Sequence, residues 1–238
     1  MDKASELLLV IATYNEIDSL PSLIEQIRSQ IDADVLVIDD NSPDGTGNWC
    51  DDHAAKDSAF EVIHRSGKLG LGSAAMVGFK LAIERGYQWV GTMDADLSHD
   101  PEVLKEMLKL INQSSGPDVV IGSRYVKGGQ ILGWPWYRRI SSALVNGFAR
   151  FVLRLSTRDN TSAFRIYDVS KLSALDLEIV VSSGYAYLEE ILVLLKKQNA
   201  TFAEVPICFQ NRETGRSKVN LQELVSSLYQ ILRLSFRS

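Results

Sequence analysis

Short, uninterrupted apolar runs separated by helical stretches constrain this chain more than any other feature. LLLVIAT (7–13) and DVLVIDD (34–40) are too short for helices and show no alternation of polar and apolar residues. A strand has this character when both of its faces are buried, as in a parallel sheet covered by helices. The intervening segments fit that arrangement. A helix-period stretch runs to about Gln30 with Asn15 and Asp18 as candidate caps, and a second follows the turn NSPDGTG (41–47) to about Asp57. FEVIH (60–64) is a third strand, followed by a glycine-rich loop at 67–72 and an alanine-rich helix to Arg85. A fourth strand ends in MDAD (93–96), a helix covers 101–113, and DVVIGSRY (118–125) is a fifth strand. The expected fold class is α/β, with a mostly parallel central sheet flanked by helices.

In such sheets ligands bind beyond the carboxyl ends of the strands. Four of the first five strands end there in polar segments: TYNE, DDNSPDG, DAD and GSR. Asp94 and Asp96 are separated by one small residue. Two anions that close repel unless a cation lies between them. A hard divalent ion, Mg²⁺ or Mn²⁺, takes oxygen ligands and shares them readily with a diphosphate. A solvated turn with an Asp cap before the helix at Pro101 explains an isolated pair equally well. His99 fits a loop residue preceding the capping Asp100.

Composition narrows the functional classes. With 238 residues the chain suffices for one well-packed α/β domain, or at most two small ones. No 18-residue apolar run is present, and the N-terminus lacks a basic n-region, so neither a membrane span nor a signal peptide is expected. Cys50 and Cys208 carry no metal or disulfide spacing, which points to a reduced, cytosolic compartment. A net charge of −5 argues against nucleic acid as a partner. The charge is uneven, however. Residues 1–60 hold 13 Asp/Glu against three Lys/Arg, whereas 127–165 hold seven Lys/Arg against Asp159 alone. One face is therefore expected to meet anions.

The second half differs in kind. Residues 137–155 place Ile140, Leu144, Phe148, Phe151, Val152 and Leu155 on one helical face, flanked by Arg138, Arg139, Arg150 and Arg154 and preceded by Trp134 and Trp136. Residues 220–236 repeat the theme with Leu221, Leu224, Val225, Leu228, Ile231, Leu232 and Phe236. Core packing accounts for either stripe alone. Aromatic residues, arginines and an apolar face together also suit a helix lying on a bilayer. TSAFRIY (161–167) and ATFAEVPICF (200–209) are expected strands, and 185–197 a helix.

Taken in order, TYNE (13–16), VIDDNSPDGTG (37–47), GKLGLGSA (67–74), MDADLSHDPE (93–102), GSRYVKGG (122–129) and ETGRSK (213–218) resemble the inverting family 2 glycosyltransferases. Within them the pattern is most similar to the dolichyl- or polyprenyl-phosphate mannose synthases, along essentially the whole chain. The resemblance implies a GT-A fold, GDP-mannose as donor, a dolichyl or polyprenyl phosphate as acceptor, and a β-linked product formed by one metal-dependent displacement. It implies a catalytic domain over 1–219, with a donor half to about 125 and an acceptor half from 126, and a C-terminal amphipathic helix over 220–238. It places the protein at the cytoplasmic face of a membrane, with an anchoring subunit as a further partner.

Carried over residue by residue, the resemblance assigns Ala12, Tyr14, Glu16, Ile38 and Asp40 to the nucleoside. Asp94 and Asp96 fall to the metal and diphosphate, with Ser98 as a further metal ligand and Ala95 as a backbone contact. Arg124, Arg212 and Lys218 fall around the donor phosphates, and Arg138 and Ser142 at the acceptor phosphate. Asp96, Arg124 and Arg212 are the implied catalytic residues. Guanidinium groups suit phosphate because they donate in a planar fork. A phosphate nucleophile is largely dianionic near neutrality and needs no strong base. The chain departs from the pattern at Ala12, where a proline is usual, at Ser98, where some members carry glutamine, and at TSAFR (161–165), which is less glycine-rich. Three other functions stay open. UDP-glucose or UDP-N-acetylhexosamine could replace the donor. GLGSAA (70–75), with Asp94 about 20 residues on, imitates a dinucleotide turn of an NAD-dependent oxidoreductase. A non-catalytic scaffold would keep the fold alone.

Overall fold

The computed structural model describes residues 5–180, 184–211 and 221–235. A seven-stranded sheet runs through the molecule in the order β3-β2-β1-β4-β7-β5-β8. Its first half comprises β1 (Leu7–Thr13), β2 (Asp34–Asp39), β3 (Phe60–His64) and β4 (Trp89–Asp94), all mutually parallel where they pair. β5 (Val119–Ser123) and β8 (Phe202–Pro206) are parallel to each other, and β7 (Arg165–Asp168) lies antiparallel between β4 and β5. A small second sheet joins β6 (Gln130–Leu132) to β9 (Cys208–Gln210). The expected α/β class and mostly parallel sheet are thus observed.

The apolar runs form strands because both faces are covered. In β1, Leu8 and Val10 enter one core with Phe79 of α3 (Leu71–Glu84) and with Ile191 and Leu192 of α7 (Tyr187–Lys197). Leu7, Leu9 and Ile11 enter the other core, with α1 (Leu20–Gln30) and α4 (Val103–Ile111). α2 (Thr46–Ala54) adds Cys50 to that second core. α3 lies so close to β1 that a Cβ on Gly78 would stand 2.5 Å from a methyl carbon of Val10. The two cysteines are free, as their spacing implies.

Several local expectations are corrected. α1 begins at Leu20, with Ser19 at its N-cap position and neither Asn15 nor Asp18 capping it. The Asn15 backbone is left-handed (φ 61°) and belongs to a loop tied to its neighbour. The strand expected over 161–167 shortens to β7 because side chains of Asn146, Arg124 and Arg165 hold the preceding residues. The strand expected over 200–209 divides at Ile207 between the two sheets.

The apolar stripe of α5 (Trp136–Val152) is corrected further. Core packing claims Val145, Asn146 and Ala149, with Leu155 buried just beyond the helix, while Ile140, Leu144 and Phe151 are exposed. On α8 (Leu221–Ser235), Ile231 and Leu234 are buried and Tyr229 and Leu232 exposed. The side chains of Leu221, Leu224 and Val225, and Phe236 altogether, lie outside the described residues. The short helix α6 (Val169–Ser173) was not anticipated.

Candidate active site

β1, β2 and β4 end side by side, so their following loops share one edge of the sheet. The first two loops are stitched together by short polar side chains. The backbone N–H groups of Asn15, Glu16 and Ile17 donate to Ser42 Oγ (3.0 Å), Thr46 Oγ1 (3.1 Å) and Asp44 Oδ2 (3.1 Å). Burial opposes ionisation of Asp44, but hydrogen bonds from Thr46 and Ile17 outweigh it and hold the carboxyl below its ordinary value. Tyr14 stands half-exposed at the rim with Lys68 Nζ 4.5 Å from its ring centre. Glu16 accepts from Ser19 Oγ at 2.9 Å. Ala12 is half-buried beside Asp94 in register.

Two residues assigned to the nucleoside occupy structural positions. The Ile38 side chain lies in the core, so only its backbone faces the strand ends. Asp40 is buried against Arg65 and accepts the Leu69 N–H at 3.2 Å. Arg65 in turn donates to Ser73 Oγ (2.6 Å) and Gly70 O (3.1 Å). Asp40 therefore anchors the glycine-rich loop at the start of α3.

At the end of β4, Asp94 and Asp96 are both half-buried and flank the buried Ala95. Ser98 is buried, and its Oγ and N–H both donate to Asp96 Oδ1, at 2.5 and 3.1 Å. The Ser98 hydroxyl thus orients the Asp96 carboxylate. His99 lies in a loop before Asp100, whose Oδ1 accepts the Glu102 N–H at 2.9 Å. It is not solvated, however: its ring stacks on Phe164 (5.1 Å) and meets the edge of Phe209 (5.4 Å). Burial drives its pKa down to about 4 despite the neighbouring Asp96.

Beyond the end of β5 stands a wall of arginines, near enough to the acidic step for Asp94 to act on Arg124. Arg124 is buried and donates Nε and Nη2 to the two oxygens of Asp159, both at 2.7 Å, and Nη2 also reaches Thr161 Oγ1 at 2.7 Å. Burial disfavours its charge, but Asp159, with Asp94 adding to it, outweighs that and raises its pKa. Trp134 lies between two guanidiniums, with Arg138 3.9 Å and Arg124 5.6 Å from its ring centre. Arg138 also donates to Asn211 Oδ1 at 3.2 Å. Ser142 is half-buried, and its carbonyl accepts from Asn146 Nδ2, which also reaches Thr161 Oγ1 at 3.0 Å. Ser142 therefore joins the network that holds Arg124. Arg212 and Lys218 lie outside the described residues.

The fold thus gathers Tyr14, Asp94, Asp96, Arg124, Arg138 and Ser142 along one side of the sheet. Sequence reasoning missed Asp159, Asn146, Thr161 and Arg165, which hold that wall. Asp159 had one visible signal, as the lone acid in a basic segment. As a donor set, residues 94–98 offer two carboxylates, which suit a hard divalent cation. Among the described residues no group of three His, Cys, Asp or Glu converges as a full metal cage. An ion held by the pair would keep positions for phosphate oxygens and water.

Comparison with known proteins places this geometry. The family described as "Glycosyl transferase family 2" matches residues 8–176. The chain is 42% identical over 214 residues to the undecaprenyl-phosphate mannosyltransferase of Micrococcus luteus, covering 90% of this chain and 87% of that protein. It is 37% identical over 232 residues to the polyprenol monophosphomannose synthase of Mycolicibacterium smegmatis, covering 97% and 87%. In fold it is similar to glucosyl-3-phosphoglycerate synthase from Mycobacterium tuberculosis, crystallised with Mn²⁺, UDP and glucosyl-3-phosphoglycerate (TM-score 0.66, 17% identity, 97% and 78% covered). It is likewise similar to S. aureus TarS 1-349 with UDP-GlcNAc (TM-score 0.65, 17% identity, 97% and 66% covered). With a family match over most of its length and a GT-A-like sheet, the chain belongs to glycosyl transferase family 2 and is a glycosyltransferase.

Proposed function

We propose that this chain transfers mannose from GDP-mannose to a polyprenyl phosphate at a membrane surface, inverting the anomeric centre. The observation that carries the reading is an acidic step, Asp94 and Asp96, whose Asp94 acts on Arg124, which shares the Trp134 ring with Arg138. A nucleotide sugar and a lipid phosphate are both phosphate-bearing, and such a cleft serves both. The two relatives named for mannosyl transfer to polyprenyl carriers supply the sugar and acceptor classes.

Asp94 and Asp96 would hold Mg²⁺ or Mn²⁺, a choice supported by the Mn²⁺ in the crystal structure of the fold relative. When bound, such an ion supplies positive charge to the leaving diphosphate. Ser98 keeps the Asp96 carboxylate in one orientation for that purpose. Arg124, fixed by Asp159, presents a preorganised cation that needs no reorganisation as charge develops on the diphosphate. Arg138, laid on Trp134, and Ser142 receive the acceptor phosphate, whose oxygen attacks the sugar carbon without a separate base. Tyr14 and Glu16 line the nucleoside side, and Arg212 and Lys218 complete the phosphate contacts.

The acceptor's tail is apolar, so the reaction takes place at a bilayer. Among the described residues no helix is long and apolar enough to cross a membrane. The exposed Trp136, Tyr137, Ile140, Leu144 and Phe151 of α5 form the surface assigned to the bilayer, with an anchoring subunit as a further partner. Radiolabelled transfer from GDP-mannose, UDP-glucose and UDP-N-acetylglucosamine onto dolichyl and undecaprenyl phosphates tests the assignment. Label should appear in lipid from GDP-mannose. Transfer from a UDP-sugar alone would reassign the donor.

A further inference from the structure

Arg165 begins β7, which runs antiparallel to β4, so it enters the sheet beside Thr92, near the end of β4 that carries the acidic step. Its side chain is fully buried. Nε donates to Ser162 O (2.7 Å), Nη2 to Asn160 O (2.7 Å), and Nη1 to Leu188 O (2.9 Å) and Tyr167 Oη (3.3 Å). Each of these acceptors is neutral, since burial pushes the Tyr167 pKa up and keeps its phenol protonated.

The two carbonyls on Nε and Nη2 lie on either side of Thr161. Thr161 and Asp159 are the residues that take the Arg124 guanidinium. The Asn160 N–H donates to Asn146 Oδ1 at 2.7 Å, which ties the same segment to α5. Arg165 therefore braces the segment that places Arg124 against Leu188, in the first turn of α7.

Glu189 stands in that first turn. It is buried, and its Oε2 has no hydrogen-bond partner. The charged groups that act on it are Arg165 of β7 and Asp159 of the preceding loop. Glu190, next on α7, is buried and already engaged. Burial pushes the Glu189 pKa up to about 7, and Arg165 offsets only part of that. A neutral carboxyl tolerates the site. An ionised one is a buried charge short of hydrogen bonds, and Arg165 is the cation able to supply them. Arg165 can do so only by leaving a carbonyl that it now holds.

We propose that Arg165 is a positioning residue for Arg124, and that Glu189 leaves it to that task only while protonated, so that ionisation of Glu189 slows sugar transfer. The inference rests on the transfer reading above and adds control by pH at a carboxyl beneath the site. Activity is lost as pH rises, because the folded protein gives up the Glu189 proton in that direction.

Steady-state transfer by the full chain, with both substrates saturating, tests it by comparing wild type with Glu189→Gln from pH 6 to 8.5. Glutamine keeps the shape and cannot ionise. The ratio of the two rates removes the titrations that both proteins share, including that of the acceptor phosphate. The variant should run within about twofold of wild type at pH 6 and exceed it by about tenfold or more at pH 8.5, since the protonated fraction of a group titrating near 7 falls roughly 30-fold over that range. In NMR spectra of wild-type protein the Arg165 Nε–H resonance should shift with the same midpoint as the rate ratio, and it should stay fixed in the variant. Thermal melting at each pH checks that both proteins are folded. A flat ratio between folded proteins would overturn the proposal, as would an Arg165 resonance that does not move while the ratio changes. Loss of transfer at every pH in folded Glu189→Gln would overturn it too, because the carboxylate itself would then be required. The ratio is taken with whichever sugar nucleotide labels the lipid, so a reassigned donor would count against the reading above and leave this test standing.

Discussion

Arg124 and Asp159 hold each other at three points: two guanidinium nitrogens donate at 2.7 Å and the Arg124 backbone N–H donates at 2.9 Å. The Asp159 side chain is fully buried and Arg124 exposes only a small part of its own, so the pair behaves as a fixed part of the sheet edge. Asp159 is fixed in turn, because Glu204 accepts its N–H at 2.9 Å. The cation proposed to meet the donor phosphates is thereby placed by Asp159, which is held in turn by Glu204.

Removing one member of a buried pair leaves the other charge uncompensated, which costs about 3–5 kcal/mol. Asp159→Asn should lower unfolding free energy by that order in urea denaturation. Arg124→Lys keeps the charge but loses the fork, and should lose transfer activity out of proportion to stability. Burial raises the Asp159 pKa, but Arg124 outweighs it and leaves the carboxyl below its ordinary 3.8. Its stabilisation is therefore complete above pH 3.8 and is lost as pH falls toward the lower folded value.

Two other buried groups titrate in opposite directions. Burial lowers His99 from 6.5 to about 4 and raises Glu189 from 4.5 to about 7. For His99 the unfolded chain binds the extra proton, so its contribution is full above pH 6.5 and is lost as pH falls toward 4. For Glu189 the folded chain binds the extra proton, so its contribution is full below 4.5 and is lost as pH rises through 7. The two slopes oppose each other in the wild type. Glu189→Gln should expose stability that rises with pH. His99→Phe should expose the reverse slope. Urea midpoints between pH 4.5 and 7, in chelator, measure both.

Trp134 supports Arg138 at 3.9 Å, a contact of the kind worth about 0.5–2 kcal/mol. Trp134→Ala should raise KM for the lipid phosphate by roughly 2- to 30-fold with a smaller change in kcat. Trp134→Phe should recover part of the loss. Initial rates at varied acceptor concentration separate the two parameters.

At Gly78, α3 lies directly against Val10 of β1. The methyl of Gly78→Ala would collide with Val10, and overpacking of this kind costs about 1–3 kcal/mol. The urea midpoint should fall. Val10→Ala in the same chain should recover part of the loss by making room.

The sheet was legible because buried parallel strands leave continuous apolar runs; 7–13 was anticipated to the residue. The place of the acidic pair was legible because the apolar run of β4 stops there, leaving Asp94 and Asp96 half-buried at the strand's end. Partners across long sequence distance were not. Nothing local tells that Asp40 is tied to Arg65, or that Asp159 clamps an arginine 35 positions earlier. The α5 stripe shows the limit of periodicity. Its spacing fixes which residues share a face, but whether that face meets the core or solvent depends on how the helix is rotated. Here Val145 and Ala149 turn inward and Ile140, Leu144 and Phe151 outward.

The central claim is that the carboxylates ending β4 couple a divalent cation to a nucleotide diphosphate. Calorimetric titration of GDP into wild-type and Asp96→Ala protein, with and without Mn²⁺, tests it most directly. Mn²⁺ should tighten GDP binding to the wild type by at least tenfold, and Asp96→Ala should abolish that enhancement without lowering Tm. Equal tightening by Mn²⁺ in the folded variant would contradict the claim.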